Sequence, residues 1–142
     1  MFSLTKFHDF DISFLNTKKV LNMSHLFEGC ISLNFLNIES LDTSQVIDMS
    51  YMFQNCEALY SIDLSNFNTA KVKNMSNMFQ FCMSLSEIDL SKFNTASVTD
   101  VSQMFENCNY LQSLDLTHFD TSNVKNMSSM FQYDGYLRQL DL

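Results

Sequence analysis

The sequence predicts an α/β repeat fold: a right-handed solenoid of about five coils of about 26 residues, with a parallel sheet on one face and short helices on the other. The first observation is that the motif from Ile62 to Cys82 returns as Ile88 to Cys108 and again from Leu114, without insertion or deletion. The second is that each copy changes its hydrophobic period partway along. Neither half of a copy is long enough to bury its own apolar face, so the copies must stack to form a core.

We call the equivalent positions of successive copies a column. Three columns hold the same residue in all five copies, so each of these positions meets the same environment in every coil. The columns are Phe27, Phe53, Phe79, Phe105 and Phe131; Thr17, Thr43, Thr69, Thr95 and Thr121; and Val20, Val46, Val72, Val98 and Val124. The length of 142 residues predicts one domain. Its coils are expected at about 7–32, 33–58, 59–84, 85–110 and 111–136, with a partial copy at 137–142.

The first half of each copy predicts a short strand. Ile62 and Leu64 are spaced by two residues around Asp63, which indicates one buried and one open face. The strands of successive coils would then form a parallel sheet. The crossover rule for parallel strands makes the solenoid right-handed.

The second half of each copy predicts a short helix, because its apolar residues are spaced by three or four. They are Val72, Met75, Met78, Phe79 and Cys82. An Asx residue precedes each such segment and is the predicted N-cap: Asn22, Asp48, Asn74, Asp100 and Asn126. The Met and Cys columns are expected to fill the core, the cysteines as thiols rather than as disulfides or zinc ligands.

The candidate binding surface is an acidic column between the inward-facing strand positions, which places it on the open face of the sheet. The column and its acidic neighbours are Asp11, Asn37, Asp63, Asp89, Asp115, Asp141, Glu39 and Glu87. This column has three interpretations: a face that binds a basic protein, an acidic face that is merely solvated, and a site for a divalent cation. Repulsion between carboxylates one coil apart is bearable in water, so the column does not require a metal.

Composition narrows the class of function. The formal net charge of −8 argues against nucleic acid and anionic membrane surfaces as partners. No nucleophile, base and orienting group recur together, so an enzyme is not expected, and no catalytic residue, metal or cofactor is assigned. No apolar run approaches membrane-spanning length, and no signal peptide is visible.

The motif Leu-x-x-Leu-Asp-Leu-Ser-x-Phe-x-Thr-x-x-Val-x-x-Met-x-x-Met-Phe-x-x-Cys resembles the BspA-like leucine-rich-repeat surface proteins. It is closest to the subtype first described in mycoplasma lipoproteins. The resemblance covers about Phe7 to Leu142. It implies a solenoid of the leucine-rich-repeat type, a cell-surface or extracellular location, and binding of proteins or host cells. Family copies often have Gly before the Cys, which only Gly29 matches here.

These observations together predict a non-enzymatic protein-interaction module, adhesin-like, that binds through the acidic strand face. Its partner would be a protein with basic patches, and the chain would be a monomer or part of a longer array. The alternatives are a structural spacer or display array without a tight ligand, and a metal-dependent binding module. Without a signal peptide, a fragment of a surface protein or a cytoplasmic protein is the alternative location.

Overall fold

The computed structural model describes residues 12–142, in which copies of the repeat lie one upon the next. Regular secondary structure is scarce in this part of the chain, which contains two strands, β1 (Ser113–Asp115) and β2 (Gln139–Asp141), and no helix. The two strands are parallel, with Leu114 opposite Leu140. Residues 12–142 therefore contain no long apolar helix of the kind that crosses a membrane.

The segment with helical spacing forms a ladder between coils instead of a helix. Alternate amides of the central copy donate to carbonyl groups of the following copy at 2.8–2.9 Å: those of Met75, Asn77, Phe79 and Phe81. Amides engaged in this way cannot make the bonds along the chain that a helix needs. The predicted short helices are therefore wrong, and so is the α/β leucine-rich-repeat solenoid built on them.

Left-handed backbone at two positions of each copy keeps this segment out of a helix. In the central copy they are Asn77 and Phe81, with φ of 59° and 60°. This region costs an ordinary residue roughly 1–2 kcal/mol, and less for Asn. The second position precedes the Cys column, and Gly29 occupies it in an earlier copy with φ of 71°. A glycine before the cysteine thus meets a backbone requirement of this fold.

The Asx column stabilises turns rather than helix ends. The Asn74 side-chain oxygen accepts from the amide of Ser76 at 3.0 Å, and the other four members make the same bond. Because no helix follows, the predicted N-cap role is wrong and the arrangement is an Asx turn. The column also forms isolated parallel bridges from copy to copy, beginning with Asn22 and Asp48.

The predicted parallel sheet is confined to β1 and β2. The equivalent segments around Asn37, Asp63 and Asp89 are not strands, and shallow grooves of about 410 and 460 Å³ lie between them. Side chains bridge the coils there: the Asn66 amide donates to the carbonyls of Ile38 and Glu39 at 3.3 and 3.0 Å. The regular ladder of backbone hydrogen bonds between coils therefore lies in the segments predicted to be helices, whereas the sequence predicted it in the segments that would form strands.

The core lies between successive coils and is built from the repeated columns. Neighbouring Phe rings stack from Phe27 to Phe131 with centroids 5.5–6.0 Å apart and planes within 8°. Burying each such side chain contributes roughly 1.5–3 kcal/mol. The four cysteines are buried thiols, as predicted. Burial raises the pKa of Cys82, whose thiol donates to the Phe53 carbonyl at 3.2 Å.

The Thr column fastens each coil to the next. The Thr69 hydroxyl donates to the Asn94 carbonyl at 3.0 Å and accepts from the Asn94 amide at 2.8 Å. Thr43 and Thr95 bridge in the same way to the equivalent residues of the coil that follows each of them. Since Thr69 is 1% exposed, its hydroxyl is satisfied by these two backbone groups and not by water. Thr121, in the last full copy, is exposed and bridges to no described residue.

Replacing this hydroxyl should destabilise the inner coils selectively. We expect Thr69→Val to lower the free energy of unfolding by about 1–3 kcal/mol, because it removes both hydrogen bonds to the Asn94 backbone. Thr69→Ser keeps the hydroxyl and should lose less. Thr121→Val is the matched control, with a loss within about 0.5 kcal/mol. Urea denaturation measures all three, and equal losses for the two valine variants would contradict the bridging role.

Candidate functional site

The acidic row, as we call it, lies on one side of the stack and is exposed. Its described members are Asn37, Asp63, Asp89, Asp115, Asp141, Glu39 and Glu87, while Asp11 lies outside the described residues. Asp115 and Asp141 are register partners in β1 and β2. The remaining members project beside the two grooves rather than from a sheet. The structure thus places the described candidates in one row, although the sheet expected beneath them is mostly absent.

Each Asp of the inner row holds a turn of its own coil. Asp115 Oδ1 accepts from the Thr117 amide at 2.9 Å and from the Thr117 hydroxyl at 2.7 Å. Asp63 and Asp89 accept from the amide two residues on, at 2.9 and 2.8 Å. The Oδ2 atoms of these three residues make no hydrogen bond to any described residue. Each carboxylate is therefore fixed in orientation with one oxygen available to a partner.

The same hydrogen bonds favour the charged form of the row. Bonds from the hydroxyl and amide of Ser65 lower the pKa of Asp63, and the like charge of Asp89 opposes that effect. The pKa of Asp89 is lowered first by the amide and hydroxyl of Ser91, with a contribution from Lys92. Thr117 lowers the pKa of Asp115 in the same way. The three carboxylates are consequently ionised well below neutral pH.

Two shallow grooves accompany the row. The larger, of about 460 Å³, has Asp63, Glu87 and Asp89 on its walls, with Lys92 beside them. The smaller, of about 410 Å³, is lined by Phe35, Asn37 and Glu39 among others. Both combine acidic walls with an apolar contribution from Ile62. This combination suits the aliphatic stem and charged head of a lysine or arginine side chain.

Metal ligands do not converge in the described part of the chain. No group of three His, Cys, Asp or Glu side chains in residues 12–142 is arranged to hold a metal ion. The acidic row supplies its carboxylates one per coil, whereas a calcium ion takes about six to eight oxygen ligands. The two described histidines do not contribute to a shared site. The ring of His25 bonds Glu28 at 2.8 Å, and that of His118 bonds the Leu90 carbonyl at 2.7 Å.

A row of buried polar side chains, bonded to one another from coil to coil, lies in the segments that were predicted to be helices. Gln80 Nε2 donates to Glu106 Oε2 at 2.6 Å, and Asn77 Nδ2 donates to Gln80 Oε1 at 2.9 Å. The side-chain amide of Gln54 also donates to Gln80. Asn77, Gln80 and Glu106 are 5–7% exposed. Because these groups bond one another across coils, they satisfy buried polarity and leave few atoms for a ligand.

Sequence reasoning missed a carboxylate with a perturbed pKa at the end of the Cys column. Asp134 Oδ1 accepts from the Cys108 amide at 2.8 Å, while Oδ2 is buried without a hydrogen-bond partner. Burial raises the pKa of Asp134 to about 6, the nearby Glu106 adds to the increase, and the Cys108 amide opposes it. The available signal was the break in the Cys column, where a charged residue replaces a buried thiol.

Comparison with known proteins gives one family. A model described as "Mycoplasma protein of unknown function, DUF285" matches the chain twice, over residues 1–89 and 61–140. No curated protein and no solved structure matches the chain. The match confirms the resemblance to mycoplasma-type repeat proteins and does not extend to the BspA-like leucine-rich-repeat family.

Asp134 should make stability depend on pH in mildly acidic solution. Its folded pKa of about 6 exceeds the ordinary 3.8, so the folded state binds this proton more tightly than the unfolded state. The contribution of Asp134 to the free energy of unfolding is therefore most favourable below about pH 4. It falls as the pH rises from about 4 to about 6 and is constant above about pH 6. We expect Asp134→Asn, which keeps the acceptor for the Cys108 amide, to abolish this decline and to raise stability at pH 7 by about 1–2 kcal/mol, allowing for solvent screening.

Thermal unfolding across this pH range measures the effect. Asp141→Asn removes the same charge from an exposed position and is the control. Parallel stability profiles for Asp134→Asn and the unmodified chain would contradict the assignment.

Proposed function

The chain belongs to the DUF285 family, described as mycoplasma proteins of unknown function, and on that premise we propose that it is a non-enzymatic protein-interaction module. In this proposal the acidic row binds a partner protein that carries basic patches. The module acts as an adhesin at the cell surface, a location that rests on the family resemblance.

The observation that carries the proposal is the repeated geometry of the carboxylates. Asp63, Asp89 and Asp115 each fix Oδ1 in a turn and leave Oδ2 without a described partner. A group that is already oriented loses little conformational entropy on binding, so fixed carboxylates favour recognition. An arginine guanidinium suits such a carboxylate because it offers several donors in one plane.

The small free energy of a single exposed ion pair implies that binding must be multivalent. An exposed salt bridge contributes only about 0–1 kcal/mol, so one carboxylate of the row cannot hold a partner. Three or more pairs along successive coils would add to a useful affinity. Salt should weaken such binding, because exposed charges are screened over about 8–10 Å at physiological ionic strength.

A structural spacer is the second candidate, and one observation favours it. Asp42 and Asp120 lie outside the acidic row, yet they accept from the amides two residues on at 2.9 Å, just as the row does. Turn stabilisation alone therefore accounts for the Oδ1 bonds. The two candidates differ in whether removing the charge of the row has any consequence beyond stability.

The test removes charge and keeps the turns. In the triple variant Asp63→Asn, Asp89→Asn and Asp115→Asn, the amide oxygen still accepts the turn bond while three negative charges disappear. We expect pull-down of a host-cell surface protein to be lost, and the capture by the unmodified chain to weaken as salt rises. Added calcium tests the metal-dependent alternative, which predicts that capture requires the ion.

The matched control is Asp42→Asn, Asp120→Asn and Glu57→Gln, which removes the same charge from exposed or partly exposed positions outside the row. Binding retained by the control and lost by the row variant supports the proposal. Absence of capture by the unmodified chain favours the spacer, equal binding by both variants would mean that the partner binds a surface other than the row, and equal loss would indicate a general effect of net charge. Melting temperatures of both variants establish that the fold is intact.

A further inference from the structure

A large exposed apolar side chain lies in the turn that ends each copy, or two residues after it. We call these side chains the apolar stripe: Ile31, Tyr60, Met83, Tyr110 and Tyr136. They are 36–62% exposed. A single exposed apolar residue needs no explanation, but one at the same corner of every copy forms an extended patch, and such patches mark interaction sites.

The stripe is continuous because the turns of successive copies are neighbours. The rings of Tyr110 and Tyr136 lie 6.1 Å apart with their planes within 14°. The Ser86 amide donates to the Tyr60 carbonyl at 3.1 Å, which joins two further turns. Tyr60, Met83 and Tyr110 have described copies on both sides. Their exposure is therefore a property of the inner copies.

The spacing of the copies is close to one turn of an α-helix. Equivalent rings of neighbouring copies lie 5.5–6.0 Å apart in the Phe column and 6.1 Å apart in the stripe. An α-helix rises about 5.4 Å per turn and presents residues three and four apart on one face. A helix lying along the stack can therefore offer one side chain to each copy.

An extended segment fits this corner less well. Its same-face side chains are about 6.6–6.8 Å apart, which exceeds every measured step between copies. Strand addition also requires an open row of backbone groups. Here the amides of Ser86 and Arg138 already donate to carbonyls of the preceding copy. The corner thus offers side chains more than backbone.

Acidic side chains border the stripe and select the charge of its partner. Glu57 and Glu87 are exposed beside it, and Glu87 belongs to the acidic row. From residue 31 to residue 39, and over the equivalent stretch of each later copy, the only basic residue is Arg138. A second copy of the chain would bring the same acidic border and be repelled, whereas a basic partner would be attracted.

We propose that a basic amphipathic α-helix of a partner protein docks along the apolar stripe. One apolar side chain per helical turn packs against each copy, and lysine or arginine side chains on one flank reach the acidic row. This inference rests on the proposed function, in which the partner carries basic patches. It supplies the apolar anchor that the row lacks, since tyrosine is enriched among the residues that dominate the binding energy of interfaces.

Synthetic peptides and the purified chain test the proposal. The probe is a labelled peptide of about 16 residues, about 24 Å long as a helix, with leucine at every third or fourth position and lysine on the flanks. A peptide of the same composition with leucine at alternate positions is the control. We expect only the first to bind, by fluorescence anisotropy, and to gain helical circular dichroism, a readable change because residues 12–142 contain no helix.

A stripe variant locates the contact. Tyr60→Ser combined with Tyr110→Ser should raise the dissociation constant of the helical-period peptide about tenfold or more, because it removes two aromatic anchors. Phe14→Ser combined with Leu21→Ser is the matched control, since these side chains are 72% and 55% exposed outside the stripe. We expect the control to bind as the unmodified chain does. Melting temperatures establish that both variants are folded.

The proposal fails if neither peptide binds, if both bind equally, if binding brings no helicity, or if the stripe variant binds unchanged. Self-association of the unmodified chain that the stripe variant loses would assign the stripe to a second copy and would also overturn it. The triple variant of the acidic row separates the two proposals. Binding lost by the row variant and kept by the stripe variant refutes only the helix. Binding kept by the row variant and lost by the stripe variant refutes the role of the row and retains the helix.

Discussion

The structure depends on backbone hydrogen bonds that run from one copy of the repeat to the next. A single coil cannot satisfy its own amides, since those of Met75, Asn77, Phe79 and Phe81 find acceptors only in the next coil. The stacked Phe rings and the threonine bridges join the same neighbouring coils. Each coil thus acquires its conformation from its neighbour, as expected for proteins whose stability comes from the contacts between adjacent repeats.

This dependence explains how the backbone tolerates unfavourable torsion angles. Phe81 and Gln103 have φ of 60° and 55°, values that glycine or asparagine adopts more readily. Such strain persists only where the surrounding structure determines it from several sides. The ladder supplies that constraint, because the amide of Phe81 is held by the Glu106 carbonyl at 2.8 Å.

The sequence was sufficient to identify the period, most of the core and the exposed candidates of the acidic row, because these depend on residue type at a repeated position. It was insufficient for the secondary structure. Apolar spacing of three and four, as from Met75 to Met78 and Phe79, fits a helix and also fits a turn-rich segment whose alternate amides leave the coil. Asp134 was missed since its effect depends on burial beside Glu106, which no local pattern reveals.

The uniform interfaces also govern how such a chain can change over evolutionary time. Because every inner interface uses the same bonds at the same offset, inserting or deleting one whole repeat unit would leave all other contacts unaltered. A change of length within the hydrogen-bonded segment itself would displace the threonine and phenylalanine columns from their partners. Tandem duplication in whole units is therefore a length change that this architecture absorbs without repacking, so the length of the stack can vary while its cross-section stays constant.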